Sequence, residues 1–321
     1  MLFKHGLLLA LLALSGPTLS GPTLAQTSKP LQMIVPFAPG GSADGIARLI
    51  ATELAAKLGR QAVVENKPGA GGTLGLVVAA NAPPDGSTLA IAATGALVIN
   101  PHIPGSAPFD PERQLVPIAR LINIPLVLVS NAKTGPKTIG EVITIAKTAH
   151  SGMSYGTTGP NSSQHLAVEL LKKMTGANLV HVPYRGSAPA VTDVIGGQIP
   201  LASVDLTSAH EHIKAGTLTA IGVTSAKRSK LAPDIPTIAE GGVPGYDGSQ
   251  GFIGLFAPAG TPPAVVKQLS QETAAILARP EIQSKVLLLS VEPAYEDEAS
   301  FAKFLTTESA KWKNLLQSLR S

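Results

Sequence analysis

Leu31-Gln32-Met33-Ile34-Val35 runs into Pro36-Phe37-Ala38-Pro39-Gly40-Gly41-Ser42, and Ile46, Leu49, Ile50, Leu54 and Leu58 follow at helical spacing. A short apolar run, a glycine-rich turn and an amphipathic helix closed by Gly59 make the βα unit from which an open α/β sheet is built. The unit repeats. Gln61 to Glu65 reads as a second strand, Thr73 to Ala80 as a helix and Thr88 to Ala93 as a third strand, so βαβαβ is complete by residue 93.

A second series starts at Leu126-Val127-Leu128-Val129-Ser130 and reaches Thr224, alternating strands with helices that begin near Thr138, Ser163, Pro189 and Thr207. Thr138 and Glu141 have the spacing of a capping box, in which each side chain satisfies an amide of the other. Beyond the irregular stretch 241–248 come a strand, Phe252 to Ala257, and helices around 262–278 and 297–319 with no sheet of their own. The predicted fold class is α/β: two doubly wound lobes with parallel sheets, joined by two crossover strands near residues 126 and 250. Residues 26–126 with 250–321 form lobe 1, and residues 127–249 form lobe 2. Such a connection is a hinge.

Residues 1–25 read as a signal peptide. Lys4 and His5 precede the apolar run Leu7 to Leu14, and a direct repeat, Ser15 to Leu19 and Ser20 to Leu24, leads to Ala25. That run is far shorter than the roughly 20 residues a membrane span needs, so export with cleavage after Ala25 is expected. Among 321 residues only 14% are charged, against about 25% in a typical domain, and the formal net charge is +4. The cations are scattered, which argues against nucleic acid. With no cysteine in the chain, thiolate metal sites, iron–sulfur clusters, disulfides and cysteine nucleophiles are excluded.

Chemistry should sit beyond the carboxyl ends of the strands. Four loops there are rich in glycine or hydroxyls: Pro36 to Ser42, Pro68 to Gly72, Ala93 to Gly95, and Gly156 to Ser163. Three of them lead into a helix and Ala93 to Gly95 follows the third strand; at a helix start unpaired amides and the positive end of the macrodipole favour an anion without a cation beside it. Asp44 and Arg48 are placed to fix the first loop, and Tyr184-Arg185-Gly186 offers a planar fork for a carboxylate. Asp205 ends a strand and either accepts from a ligand amine or holds a neighbouring loop by its amides. Enzyme signatures are weak. Gly69, Gly71 and Gly75 miss the dinucleotide spacing, Ser162, Ser163 and His165 are too close on one helix start to act as nucleophile and base, and neither His165 with Glu169 nor His210 with His212 completes a metal set. No cofactor, catalytic residue or metal is expected. A secreted hydrolase or nucleotide-dependent transferase using the glycine loops stays open as the alternative.

A set of ordered motifs then points to one family. Ile34 to Gly41 with Asp44 and Arg48, Val64 to Gly72, Asp85-Gly86, Gly159 with Ser162 and His165-Leu166, His181 to Gly186, Gly196-Gly197-Gln198 and Leu255 to Pro262 resemble the Bug family. These are TctC-type substrate-binding proteins of tripartite tricarboxylate transporters, and the resemblance covers essentially the whole mature chain. It implies a periplasmic, monomeric binding protein of type II architecture that is not an enzyme. The implied ligand is a small carboxylate: a di- or tricarboxylate, an aromatic acid or an acidic amino acid. The implied partner is a transporter membrane component or a sensor kinase. The resemblance places first-lobe contacts at Phe37, Gly40, Gly41, Ser42, Ala43, Asp44 and Thr94. Second-lobe contacts fall at Thr157, Thr158, Gly159, Ser162, Ser163, Tyr184, Arg185 and Asp205.

Overall fold

The computed structural model describes residues 29–105 and 109–320, so the expected signal peptide lies outside the described residues. Strand β1 (Leu31–Val35) leads into α1 (Ser42–Lys57), β2 (Ala62–Asn66), α2 (Thr73–Ala80) and β3 (Thr88–Ala93). After a π-helical turn, Gly95–Ile99, come α3 (Pro111–Gln114), β4 (Leu115–Ile124) and β5 (Leu126–Asn131). The second series continues as α4 (Ile139–Thr148), β6 (Met153–Thr157), α5 (Ser163–Thr175), β7 (Leu179–Pro183), α6 (Ser187–Ile195), β8 (Leu201–Asp205), α7 (Leu206–Lys214) and β9 (Leu218–Val223). The chain ends in β10 (Gly251–Pro258), α8 (Pro263–Leu277), α9 (Pro280–Leu288), β11 (Glu292–Glu296) and α10 (Glu298–Arg320).

Two sheets result, a six-stranded one ordered β11-β4-β10-β3-β1-β2 and a five-stranded one ordered β7-β6-β8-β5-β9. The strands β1, β2 and β3 pair in parallel, as do β6, β7 and β8. Neither sheet is wholly parallel, which corrects the expectation from sequence. Strand β10 runs antiparallel to β3 and β4, and β5 runs antiparallel to β8 and β9. The reversal follows from the crossover. The chain leaves the first sheet on β4, passes Pro125 and enters the second directly as β5, so neither strand has a helix to turn it parallel. It returns after β9 through the irregular stretch to β10, which pairs Gly251 with Ile124 beside the departure point.

Strand alternation sends side chains to opposite faces, and the cores obey it. Leu31, Met33 and Val35 of β1 join Ile46, Ile50 and Leu54 of α1 and Leu269 and Ile276 of α8 in one cluster. Ile34 turns the other way, to a cluster with Leu76, Phe252, Phe256, Phe301 and Trp312. Helices therefore cover both faces of the first sheet. In the second sheet Leu128 packs with Val142, Tyr155, Val168 and Leu171, while Val127 and Val129 pack with Val191, Val194 and Leu206. Each fully buried aliphatic side chain stabilises its lobe by about 1.5–3 kcal/mol relative to exposure.

Three local expectations need correction. Thr138 caps α4 by accepting from Glu141 N, but the Glu141 carboxylate accepts from Lys137 N at 2.7 Å, one residue before the reciprocal position. Strand β4 escapes the sequence reading because Pro117 and Arg120 interrupt its apolar run. The irregular register with β10 leaves Ile118 and Leu121 without paired partners, and a proline is tolerated in such a strand. The C-terminal segment also has sheet structure: β11, with Glu292, Pro293 and Glu296, forms the edge beside β4, where charge and proline discourage further pairing.

Candidate functional site

The carboxyl ends of β1 and β3 face those of β6 and β8 across a cleft whose floor is Ile124 and Ile253, from the two crossover strands. Its walls are the starts of helices. Phe37, Gly41, Ser42 and Ala43 come from the α1 entry, Thr94 and Gly95 from the end of β3, Thr158, Ser162, Ser163 and Gln164 from the α5 entry, Ser187 from the α6 start, and Asp205 from the end of β8. The room for water-sized groups between these walls is small, about 40 Å³. At about 10–15 Å³ per water-sized centre, that is room for roughly three such groups.

The cleft is small because the walls meet. Ser42 N, in the first turn of α1, donates to Asp205 Oδ2 at 2.7 Å across the seam. Ser208 Oγ donates to Asp205 Oδ1 at 2.9 Å, and Asp205 N donates to Ser187 Oγ at 3.2 Å. Asp205 is only 3% exposed, so this contact is made away from solvent. The anion seat that α1 presents is thus filled by a carboxylate from the opposite lobe, as the macrodipole favours. Of the two roles open to Asp205 in the sequence, the structure displays the hold on a neighbouring loop through its amide. A second bond crosses the seam nearby, from Ala38 N to Arg185 O at 2.9 Å.

Two glycines allow this approach. A Cβ on Gly95 would lie 2.8 Å from Asn161 O, and one on Gly71 would lie 2.6 Å from Pro160 O. Both contacts are made to backbone, which has little room to yield. Gly71 also has φ +63°, a left-handed conformation that disfavours any side chain.

The α5 entry is held by its own hydroxyls. Ser162 caps α5 by accepting from His165 N at 3.2 Å, and its Oγ donates to Gly159 O at 2.8 Å. The hydroxyls of Thr158 and Ser163 both donate to Gln164 Oε1, at 3.1 and 3.2 Å, which fixes that buried amide against the cleft. Thr94 Oγ1 accepts from Phe252 N at 2.9 Å and so keeps its own proton to donate.

Behind this loop lies a titratable cluster. His165 and His181 stack with centroids 4.2 Å apart, His165 Nδ1 accepts from Asn161 N at 3.2 Å, and His181 Nε2 meets Thr157 Oγ1 at 2.6 Å. Tyr155 and Lys172 bond Glu169, whose other near neighbour is His165 at 3.7 Å. Burial, reinforced by the positive potential of His165 and Lys172, pushes His181 down to about 4. His165 is lowered too, by burial against the opposing pull of Glu169. Both rings are therefore neutral near pH 7, which suits His165 Nδ1 as an acceptor.

The residues singled out in the sequence sort into three places. Phe37, Gly41, Ser42, Ala43, Thr94, Thr158, Ser162, Ser163 and Asp205 line the cleft. Gly159, Tyr184 and Arg185 line an adjoining outer chamber, which Phe37 and Thr158 also border. Gly40, Asp44 and Thr157 line neither. Asp44 accepts from Gly40 N, Arg48 and Asn66, and these bonds outweigh burial to hold its carboxyl below the usual range, so it braces the loop from behind. Gln164 and Ser187 were missed; a buried glutamine after a serine pair and a serine after Tyr184-Arg185-Gly186 carried no separate signal. Ile124 and Ile253 were missed because an apolar floor reads as core.

This two-sheet arrangement with its seam of helix starts has close counterparts. Residues 46–320 match the model of the tripartite tricarboxylate transporter family receptor, TctC. The chain belongs to this family. Protein BugT of Bordetella pertussis is 32% identical over 302 residues, covering 93% of this chain and 92% of the relative. Among solved structures, periplasmic binding protein BugD shares 31% identity with a TM-score of 0.85 over 91% of this chain and 98% of its own. Rpa4515 of R. palustris, solved with adipate, shares 30% identity with a TM-score of 0.86, covering 92% and 98%. MatC from Rhodopseudomonas palustris, solved with bound malate, shares 27% with a TM-score of 0.82, covering 89% and 98%. The chain is thus a TctC-type solute-binding protein, and structural neighbours bind carboxylates.

Proposed function

We propose that this member captures a small carboxylate in the periplasm, between lobe 1 (residues 26–126 and 250–321) and lobe 2 (127–249), and performs no covalent chemistry on it. Export would use residues 1–25, and the loaded form would serve a tripartite tricarboxylate-type membrane component. The observation that carries the reading is the cleft itself: a space bounded by helix starts, hydroxyls and one amide from both lobes, beside a seam bond between Ser42 and Asp205. Helix amides and neutral donors stabilise a carboxylate by charge-assisted hydrogen bonds without a counter-cation in the cleft. The adipate and malate held by the two R. palustris neighbours have this chemistry.

Closure follows from differential contacts. One lobe alone offers the ligand Thr94 and Phe37; the α5 entry and Gln164 engage only when Asp205 reaches Ser42 N, the α1 amide that it then occupies. In thermal melts, a panel of malate, adipate, benzoate and glutamate should include an acid that raises Tm with the logarithm of its concentration. An unmoved Tm across millimolar concentrations of all four removes the proposal.

A further inference from the structure

Pro160 and Asn161 form the tip of the α5 entry, the part of lobe 2 whose carbonyls press on Gly71 and Gly95 of lobe 1. Asn161 sits in the left-handed region, at φ +60°, a conformation that a residue with a side chain keeps only when its surroundings fix it. What fixes it is one turn along the helix. His165 Nδ1 accepts from Asn161 N at 3.2 Å, while His165 N donates to Ser162 Oγ and closes the same turn from the other side. The second ring pins the base of the loop. His181 Nε2 meets Thr157 Oγ1 at 2.6 Å, and that hydroxyl bonds both the amide and the carbonyl of Gly159 at 3.2 Å. The two imidazoles stack with centroids 4.2 Å apart, so tip and base are held by one pair of rings. Neither ring lines the cleft or the outer chamber.

The brace depends on the number of protons it carries. Nδ1 accepts only while it is unprotonated; a proton there makes it a donor facing the Asn161 N–H, and two donors cannot share a hydrogen bond. The titratable groups facing the pair are Tyr155 from β6 and Glu169 and Lys172 from α5, and among the described residues no other acts on either ring. Glu169 favours a proton on His165 from 3.7 Å, but its oxygens are already engaged by Tyr155 and Lys172, and Lys172 opposes that proton. His165 has the carboxylate neighbour, so the first proton taken in acid goes to it, and its charge then keeps the stacked His181 neutral. At 17% side-chain exposure the ring is within reach of solvent.

Resting on the proposed capture of a carboxylate between the lobes, we infer that His165 is the positioning residue of the ligand loop: its neutral ring, backed by His181, holds Pro160 and Asn161 against lobe 1, and one proton on Nδ1 releases that tip and weakens the hold on ligand. The cleft gives up its ligand in acid through a group that never touches it.

Two measurements test this, one of them without ligand. In hydrogen exchange of the unliganded protein, corrected for the pH dependence of intrinsic exchange, residues 157–163 should lose about tenfold in protection between pH 7 and pH 4.5, while β3 keeps its own. In His165→Asn, whose Oδ1 offers a non-titrating acceptor near the position of Nδ1, that loss should disappear. His165→Phe, which keeps a ring to stack but has no acceptor, should show the low protection at both pH values. Calorimetric titration with the acid among malate, adipate, benzoate and glutamate that raises Tm then reads affinity at the same two pH values. The acid's own titration is common to every variant, so the ratio of wild-type to His165→Asn affinity isolates the ring; it should fall about three- to tenfold from pH 7 to pH 4.5. Loop protection untouched by acid, or an affinity ratio equal at both pH values, overturns the inference and leaves carboxylate capture standing. Binding of none of the four acids at pH 7 strikes the capture reading instead, and the exchange measurement still decides whether His165 holds the loop.

Discussion

Replacing Asp205 by alanine removes the carboxylate that accepts from the first turn of α1 across the seam, beside the longer bond from Ser208 Oγ to Gly40 O. In the structure its carboxylate lies 2.7 Å from Ser42 N and 2.9 Å from Ser208 Oγ, at 3% exposure. A hydrogen bond to a charged group contributes about 1.5–3 kcal/mol, and the α1 dipole strengthens this one. Since Ser42 and Asp205 stand on different lobes, the loss falls on the closed arrangement and leaves each lobe's core untouched. Taking about 2 kcal/mol, closure becomes about thirtyfold less favourable, and a ligand that needs the closed cleft loses up to that factor in affinity. The assay is calorimetric titration of wild type and Asp205→Ala with several unrelated carboxylates, together with small-angle scattering of the unliganded proteins. All carboxylates should weaken by a similar factor, and the unliganded variant should have the larger radius of gyration. A variant that binds carboxylates more tightly would refute the reasoning, because it would mean that Asp205 competes with ligand for the α1 amides.

Other substitutions probe the same closure. Gly95→Ala places a methyl 2.8 Å from Asn161 O only when the lobes meet, so ligand affinity should fall tenfold or more. The unliganded Tm should stay within a few degrees, which differential scanning calorimetry checks. Gln164→Leu keeps the volume of a buried wall residue but removes its amide and strands the Thr158 and Ser163 hydroxyls, so affinity and stability should each drop by about 1–3 kcal/mol, read by titration and urea unfolding. For pH, His181 is about 4 when folded against about 6.5 unfolded, so the unfolded chain binds more protons between those values. Stability should therefore fall as pH drops from 6.5 towards 4, by on the order of 3 kcal/mol from this ring, and level off below. His181→Asn should flatten that part of a urea-unfolding pH profile; an unchanged slope would place the acid sensitivity elsewhere.

The repeating units were legible wherever local signals agreed with the sheet. Helix α2 and strand β3 fall where the periodicity put them, and α5 starts at Ser163, where the sequence placed a helix start. The strands that tie the lobes together were not. In β4 the run Leu115 to Ile124 is broken by Pro117 and Arg120, and pairing with β10 and β11, both more than 120 residues away in the chain, makes it a strand. The antiparallel direction of β5 has the same origin, since no local residue records which neighbour a strand will meet. At the site, loop chemistry was readable and its partners were not. Asp44 has Arg48 one turn away, so its bracing role shows at short range. Asp205 meets Ser42 across 163 residues, and that contact exists only once both sheets have formed. The pairing of Thr158 and Ser163 on Gln164 likewise depends on how the loop folds back on α5.

The central claim is that the lobes close on a carboxylate. Its most direct test is thermal melting of the wild-type protein with adipate and malate, each against its uncharged diamide. The account predicts that at least one acid raises Tm by an amount growing with the logarithm of its concentration, while its diamide leaves Tm unchanged. Equal shifts from acid and diamide, or none from either acid, would contradict it.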